Sequence, residues 1–113
     1  MTTLAKVNSL AQNYLDVKYF WKKKANIEKL DLSFLSLQDK LNLKGFTNLK
    51  KLDVSDNELT NLDLNNCRKL EYLDTFNNQM EEPDFLEGSK LKTIILNHNK
   101  LTYFNNYESL SDL

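Results

Sequence analysis

The stretch LKKLDVSDNELTNLDL, from Leu49 to Leu64, has apolar residues at intervals that fit neither a helix nor a simple strand. Leucine or valine stands at 49, 52, 54, 59, 62 and 64, with asparagine at 57. An amphipathic helix repeats its apolar residues every three or four positions, and a half-buried strand alternates strictly. The spacing instead predicts a short strand, then a turn at Asn57, then an extended return.

This spacing recurs along the chain. Successive copies begin 22, 21 and 21 residues apart, and each approximates LxxLxLxxNxL. One copy cannot bury its own leucines, whereas stacked copies bury them against each other. The sequence therefore predicts a stack of four units, which we number as copies 1 to 4: IEKLDLSFLSL from Ile27, LKKLDVSDNEL from Leu49, LEYLDTFNNQM from Leu70 and LKTIILNHNKL from Leu91.

This pattern resembles the leucine-rich repeat, over about residues 27–104. The second half LTNLDLNNC, Leu59 to Cys67, nearly duplicates the first half, which resembles the nested 21-residue (IRREKO) subclass. The stretch LDLNNCRKLEYLD also resembles repeats of expanded fungal families. The resemblance implies an α/β solenoid: a right-handed superhelix with short parallel strands on the concave face and extended or irregular convex arcs. It also implies an intracellular binding module without catalytic residues.

Each copy places its residues by strand alternation. In copy 2, Leu52 and Val54 are expected to point inward, and Lys51, Asp53 and Ser55 outward. An asparagine inside the turn can bond the backbone groups that the bend leaves open. Stacking then predicts a structural asparagine ladder of Asn57, Asn78 and Asn99.

Some copies depart from the pattern. Copy 1 has Leu35 at the asparagine position and extra spacing before Leu41, which suits a terminal unit with no neighbour on one side. Copy 3 has Thr75 at a leucine position and Pro83 in its second half, where we expect an open turn. Phe85 is expected to fill the position of Leu64.

The region before the repeats, residues 1–26, predicts an N-terminal helical cap followed by a basic linker. Residues 3–19 have helical apolar spacing, with Thr2 or Thr3 as N-cap. Residues 19–21 are aromatic and 22–24 are lysines, which suggests either an anionic or membrane surface patch or a cap core with a solvated loop. We favour the cap, because lipid-binding clusters need roughly 4–8 basic residues.

Residues 105–113 predict either a short C-terminal cap or the start of a truncated repeat. Asn105 or Asn106 could begin a short helix, whereas Leu110 and Leu113 could open another LxxL. In either case the last unit presents apolar side chains and an unpaired strand edge. The sequence therefore raises homo-oligomerisation through the C-terminal end.

Composition excludes several functions. The net charge of −1 gives no reason to expect nucleic acid, and no apolar run reaches the roughly 18 residues of a membrane span. The single cysteine, Cys67, cannot form an internal disulfide and suits a reducing compartment, so we expect an intracellular, cytoplasmic protein. Its predicted inward position makes it a buried thiol.

No catalytic or metal-binding motif stands out. His98 is the only histidine, and the sequence has no glycine-rich phosphate loop and no G-x-S-x-G. The aspartates Asp31, Asp53 and Asp74 lack the closely spaced acidic loop that calcium sites use. We therefore expect no cofactor, no metal and no enzymatic activity.

The outward positions of the four copies predict columns across a sheet. Strand spacing puts the aspartates of one column about 4.7–4.9 Å apart, with neighbouring lysines able to oppose their charge. Aromatic residues concentrate in copies 3 and 4, where they can anchor a partner or pack on each other. The columns are Lys29, Lys51, Tyr72 and Thr93; Asp31, Asp53, Asp74 and Ile95; Ser33, Ser55, Phe76 and Asn97; and Phe34, Asp56, Asn77 and His98.

These columns predict a non-catalytic protein–protein interaction module that binds a protein partner through its concave face. The expected contacts are Tyr72, Asp74, Phe76, Ile95 and His98, with Asp53, Asp56 and Phe34 at the rim. Two alternatives remain open. The chain is a self-associating structural segment, or it is the recognition part of a longer protein such as a kinase.

Overall fold

The computed structural model describes residues 12–20, 23–81 and 90–101. Helix α1 includes residues 12–18, and one short helix follows before six strands. These elements are α2 (Lys23–Asn26), β1 (Lys29–Asp31), β2 (Gln38–Asn42), β3 (Lys51–Asp53), β4 (Glu58–Asp63), β5 (Tyr72–Asp74) and β6 (Thr93–Ile95).

The strands form two parallel sheets. The first has the order β1-β3-β5-β6, and the second pairs β2 with β4. In the first sheet, Leu30 lies opposite Leu52, Leu52 opposite Leu73, and Leu73 opposite Ile94. The register thus follows the sequence period at every step. The prediction of an α/β fold with short parallel strands is confirmed.

The second halves of copies 1 and 2 are more regular than the extended or irregular arcs expected for them. Leu41 lies opposite Leu62 in the second sheet, and the register shifts between Asp39 and Lys40, so that Thr60 has no residue opposite it. Asp39 has a positive φ of 65°.

One hydrophobic core takes in buried side chains of both sheets. Strand alternation turns the central leucine of β1, β3 and β5 inward, and each fully buried leucine contributes about 1.5–3 kcal/mol to stability. The core reaches from Leu15 of α1 to Leu91 at the start of copy 4. Thr75, at a leucine position, is fully buried and donates its hydroxyl hydrogen to the Ile95 carbonyl at 2.8 Å.

The three asparagines of the predicted ladder make corresponding hydrogen bonds. The Asn57 amide donates to Leu32 and Val54 carbonyls, both at 2.9 Å, and its oxygen accepts from Leu35 and Leu37 N–H groups at 3.0 and 2.9 Å. Asn78 and Asn99 repeat this arrangement one and two copies further on. Every asparagine therefore bonds its own copy and the preceding one.

Because each ladder asparagine bonds the preceding copy, the absence of an asparagine from copy 1 has an explanation. Its position is taken by Leu35, whose N–H is itself bonded by Asn57 from copy 2. An asparagine in copy 1 would have no preceding copy to bond.

The N-terminal helices cover copy 1. The Gln12 side chain bonds both backbone groups of Asn42, donating at 2.9 Å and accepting at 2.7 Å, and so occupies the edge of β2. Tyr19 packs edge-on against Phe46, with ring centroids 5.7 Å apart. These contacts fit the predicted capping role of this region.

The lysines of the basic linker are partly used inside the cap. Lys24 pairs with Asp16 at 2.7 Å, and its ammonium lies 5.7 Å from the Phe46 ring centroid. Gly45 has a φ of +93°, and an added Cβ would come within 3.1 Å of the Lys24 side chain. Lys24 of the basic linker therefore packs within the N-terminal region.

Several expectations fall outside the described residues. They concern the N-cap of α1, the turn at Pro83 with Phe85, and residues 105–113. Within the described part of the chain, no helix is both long and apolar enough to cross a membrane.

Candidate functional site

The candidate site is the outer face of the first sheet, formed by the side chains of β1, β3, β5 and β6 that alternate with the buried leucines, and by the turn residues that follow. Register places Lys51 opposite Tyr72 and Asp53 opposite Asp74. Tyr72 likewise lies opposite Thr93. The predicted strand columns are therefore present in space.

One column member was placed wrongly. Ser55 was expected to point outward with Lys51 and Asp53, but it is buried. The strand assigned to this copy ends at Asp53, so alternation no longer sets the exposure of residues beyond it. Its column neighbour Phe76 is 37% exposed.

The aspartates of one column each form a turn at the end of a strand. Asp31, Asp53 and Asp74 each accept the N–H of the residue two positions later, at 2.9 Å in every case. An Asx turn of this kind guides the chain out of the strand. Asn42 and Asp63 do the same at the ends of β2 and β4, at 2.8 and 3.0 Å. The recurrence of aspartate thus has a structural cause.

The aspartates do not share one electrostatic environment. At Asp31, hydrogen bonds from the Ser33 side chain and backbone lower the carboxyl pKa below its ordinary 3.8. At Asp74, burial raises the pKa, opposed by the Phe76 N–H, and the charges of Asp53 and Asp56 raise it further. Asp74 is therefore a weaker acid than Asp31.

The lysines expected to oppose the aspartates form no ion pair with them. Among the described residues, the ion pairs join Lys24 to Asp16, Lys50 to Glu28 and Lys92 to Glu71. Lys51 instead places its ammonium over the Tyr72 ring, 4.7 Å from the centroid. The carboxylates of Asp53, Asp56 and Asp74 are left without a salt-bridge partner in the described part of the chain.

The fourth column is a line of left-handed residues. Phe34, Asp56, Asn77 and His98 have φ values of 54°, 56°, 56° and 60°. Asparagine and aspartate tolerate this conformation, whereas phenylalanine does so at a cost. The Asn77 amide also donates to the Asp56 carboxylate at 2.9 Å, which links two copies along the line. Phe34 is 76% exposed despite its strained backbone.

Phe76 and His98 form an aromatic pair on the outer face. Their ring centroids are 5.1 Å apart in an edge-to-face arrangement. Both residues remain exposed, so the contact between them does not bury the pair. The pair is held by two neighbouring copies, because Phe76 follows β5 and His98 follows β6.

The structure brings most of the predicted contact residues together. Tyr72, Asp74 and Phe76 lie on or directly after β5, flanked by Asp53 on β3 and Ile95 on β6. Phe34 follows β1, which is two strands from β5, a separation of about 10 Å. It therefore belongs to the same face but not to the aromatic pair.

Sequence reasoning missed the Lys51–Tyr72 contact. The two residues occupy one column in neighbouring copies, and cross-strand neighbours of this kind commonly interact. The signal is a lysine and a tyrosine at the same column position in adjacent copies.

Other chemistry is not supported by the geometry. The described residues contain no group of three or more histidine, cysteine, aspartate or glutamate side chains arranged to hold a metal ion. Cys67 is buried, and burial, followed by the charge of Asp63, raises the pKa of its thiol to about 12. Its sulfur lies 3.8 Å from the Leu43 carbonyl. A protonated buried thiol is a poor nucleophile.

Comparison with protein-family models, curated proteins and solved structures finds no match for this chain.

Proposed function

We propose that this chain is a leucine-rich repeat solenoid that works as a non-catalytic protein interaction module. The support for the repeat class is the agreement between sequence period and register, together with the asparagine bonds that join each copy to the one before. The strands of the second sheet favour the nested subclass, since both halves of copies 1 and 2 form extended chain.

The observation that carries the binding function is the exposed aromatic pair on a hydrogen-bonded sheet. Aromatic anchors supply much of the energy of protein interfaces. Phe76 and His98 are positioned by backbone bonds from Asp56 N–H to Phe76 carbonyl at 2.8 Å and from Asn78 N–H to His98 carbonyl at 3.2 Å. A face that is already ordered loses little conformational entropy when it binds.

The experiment compares the proteins retained by the wild-type chain and by the double variant Phe76→Ser/His98→Asn. These replacements occur naturally in the same columns, as Ser55 and Asn77, so the fold should tolerate them. We expect a specific protein to be lost from the double variant. The control is Phe20→Ala, which removes an aromatic residue that is 63% exposed and lies in the N-terminal region, outside the first sheet. Equal retention by all three chains would contradict the proposal.

A second candidate is self-association, because β6 is the outermost strand of the first sheet within the described residues. Light scattering over a dilution series distinguishes the two functions. A concentration-dependent dimer that persists in the Phe76→Ser/His98→Asn variant would favour contact through the strand edge. A monomer at all concentrations would favour the partner-binding module. For the cellular location, the buried reduced thiol supports an intracellular protein.

A further inference from the structure

The acidic side chains of the outer face are concentrated beside its aromatic pair. Asp53 and Asp74 lie opposite each other on neighbouring strands, and Asp56 follows in the next turn. The whole chain has a net charge of only −1, so this concentration is local. Like charges at this spacing repel unless a cation lies nearby.

Among the described residues, no cation forms an ion pair with these carboxylates, which accept hydrogen bonds from the Ser55 and Phe76 N–H groups and from the Asn77 amide. Lys51 is the nearest candidate along the strand, but its ammonium lies on the Tyr72 ring. The same contact shows that an aromatic ring on β5 stacks with a cation. A cationic side chain of a binding partner would contact both the carboxylates and an aromatic surface.

We propose that the outer face binds a basic segment of a partner protein, with an arginine on Asp53, Asp56 and Asp74 and an apolar neighbour on Phe76 and His98. The inference rests on the proposed interaction function and names the chemistry of its partner. Arginine suits the site better than lysine, because its planar guanidinium donates to two carboxylates at once and stacks on aromatic rings. A phosphate-bearing partner is disfavoured by the same three charges.

The raised pKa of Asp74 agrees with this interpretation. Burial and the two neighbouring aspartates disfavour the charged carboxylate in the free protein. A bound guanidinium would reverse that effect by offering an opposite charge within a few ångströms. Binding is therefore expected to lower the Asp74 pKa and to weaken as salt concentration rises.

The test is selection of a displayed random library of 12-residue peptides on the immobilised full chain. We expect the recovered peptides to be enriched in arginine next to an apolar residue, relative to the unselected library. The same selection on Asp53→Asn/Asp56→Asn/Asp74→Asn should lose that enrichment. Asparagine preserves the turns, since Asn42 already makes the corresponding Asx bond.

A matched control removes three charges elsewhere, as Glu58→Gln/Asp63→Asn/Glu81→Gln. For one recovered peptide, fluorescence anisotropy should give about tenfold weaker binding to the outer-face variant and less than about threefold to the control. Replacing the peptide arginine by neutral citrulline should also weaken binding about tenfold. Arginine enrichment that survives on the outer-face variant would overturn the inference, because it would mean adsorption at another site.

The outcomes separate this inference from the proposed function. Peptides that lose binding to Phe76→Ser/His98→Asn but contain no enriched basic residue would keep the interaction function and reject the basic partner. Peptides that bind all variants equally would reject both. Arginine enrichment on the wild type, with binding lost in Asp53→Asn/Asp56→Asn/Asp74→Asn and in Phe76→Ser/His98→Asn, supports both the interaction function and the basic partner.

Discussion

Asn78 joins two neighbouring copies, because its amide bonds backbone groups of both. It donates to the Val54 carbonyl of copy 2 at 2.8 Å and the Thr75 carbonyl of copy 3 at 3.2 Å, and it accepts from Leu59 N–H at 3.0 Å. The residue is buried, so water cannot replace these bonds. The side chain therefore contributes to stability through the backbone groups it satisfies.

Replacing Asn78 by alanine should destabilise the fold by about 2–4 kcal/mol, because several buried backbone groups lose their partner. Chemical denaturation measures the change. Asn66→Ala is the control, since Asn66 is exposed and its side chain makes no hydrogen bond within the described residues; it should change stability by less than about 0.5 kcal/mol. Similar effects at both positions would contradict the structural role of the ladder.

Phe34 combines a left-handed backbone with an exposed side chain, which is an expensive arrangement for a phenylalanine. The replacement Phe34→Asn should stabilise the protein by about 0.5–1 kcal/mol, because asparagine tolerates this conformation and little packing is lost. The reverse change at the same column, Asn77→Phe, should destabilise by a similar amount. Thermal unfolding of the two variants tests the pair, and a loss of stability in Phe34→Asn would show that the ring makes essential contacts.

At the scale of the strand, the aspartates of one column form the same Asx turn, but their pKa values shift in different directions. Asp31 has a lowered pKa, so its stabilising effect is present above pH 3.8 and disappears as pH falls through its folded-state value. Asp74 has a raised pKa, so the folded state binds more protons and stability falls as pH rises above 3.8. The two carboxylates should thus act in opposite directions at neutral pH.

Asp74→Asn should therefore raise the Tm at pH 7 by about 2 °C, given the solvent screening of this partly exposed group. Asp31→Asn should lower the Tm at pH 7, because it removes a favourable charged acceptor. The Asp74 difference should disappear as pH falls below the ordinary pKa of 3.8, whereas the Asp31 difference should shrink as pH falls through its lower folded-state pKa. Calorimetry at pH 7 and pH 3 measures them, and changes of equal sign at pH 7 would refute the assigned environments.

A structural feature could be predicted from the sequence where the residues that produce it recur with the repeat period. The buried leucines and the asparagine positions recur with the copies, so Leu52, Leu73 and Asn78 could be placed from spacing alone. Ser55 could not, because its burial depends on a strand that ends two residues earlier. The pairing of β2 with β4 was also missed, since extended chain in the second halves does not by itself reveal parallel hydrogen bonding.

The candidate site was predictable to the same extent. Column alignment put Tyr72 beside Thr93 and Asp74 beside Ile95, as the register has them, and placed Phe76 and His98 on the same face. The edge-on contact of Phe76 with His98 and the Lys51 ammonium on Tyr72 depend on side-chain conformations. Those are decided by neighbouring copies, and a single column does not contain that information.

At the scale of the whole molecule, stability should arise between neighbouring copies. Each ladder asparagine and each strand of the first sheet bonds to a neighbouring copy, and the spacing from copy 2 to copy 3 and from copy 3 to copy 4 is 21 residues. In a repeat protein, stability is approximately the sum of unit and neighbour terms. A unit inserted in phase should then add an interface and leave the existing ones intact.

Inserting a second copy of residues 52–72 directly after Tyr72 tests whether an added unit stacks without disturbing the existing ones. Leu52 of the duplicate follows Tyr72 as Leu73 does in the parent, and the duplicated Asn57 can bond the Val54 carbonyl of the preceding unit as Asn78 does now. The longer protein should fold with a Tm at or above that of the parent and should lengthen by about 4.7–4.9 Å in solution scattering. An 18-residue duplication of residues 52–69 is the control: it shifts every later column out of register and should unfold the protein. If the 21-residue insertion unfolds as readily as the 18-residue one, the copies are not independent stacking units and the proposed solenoid is wrong.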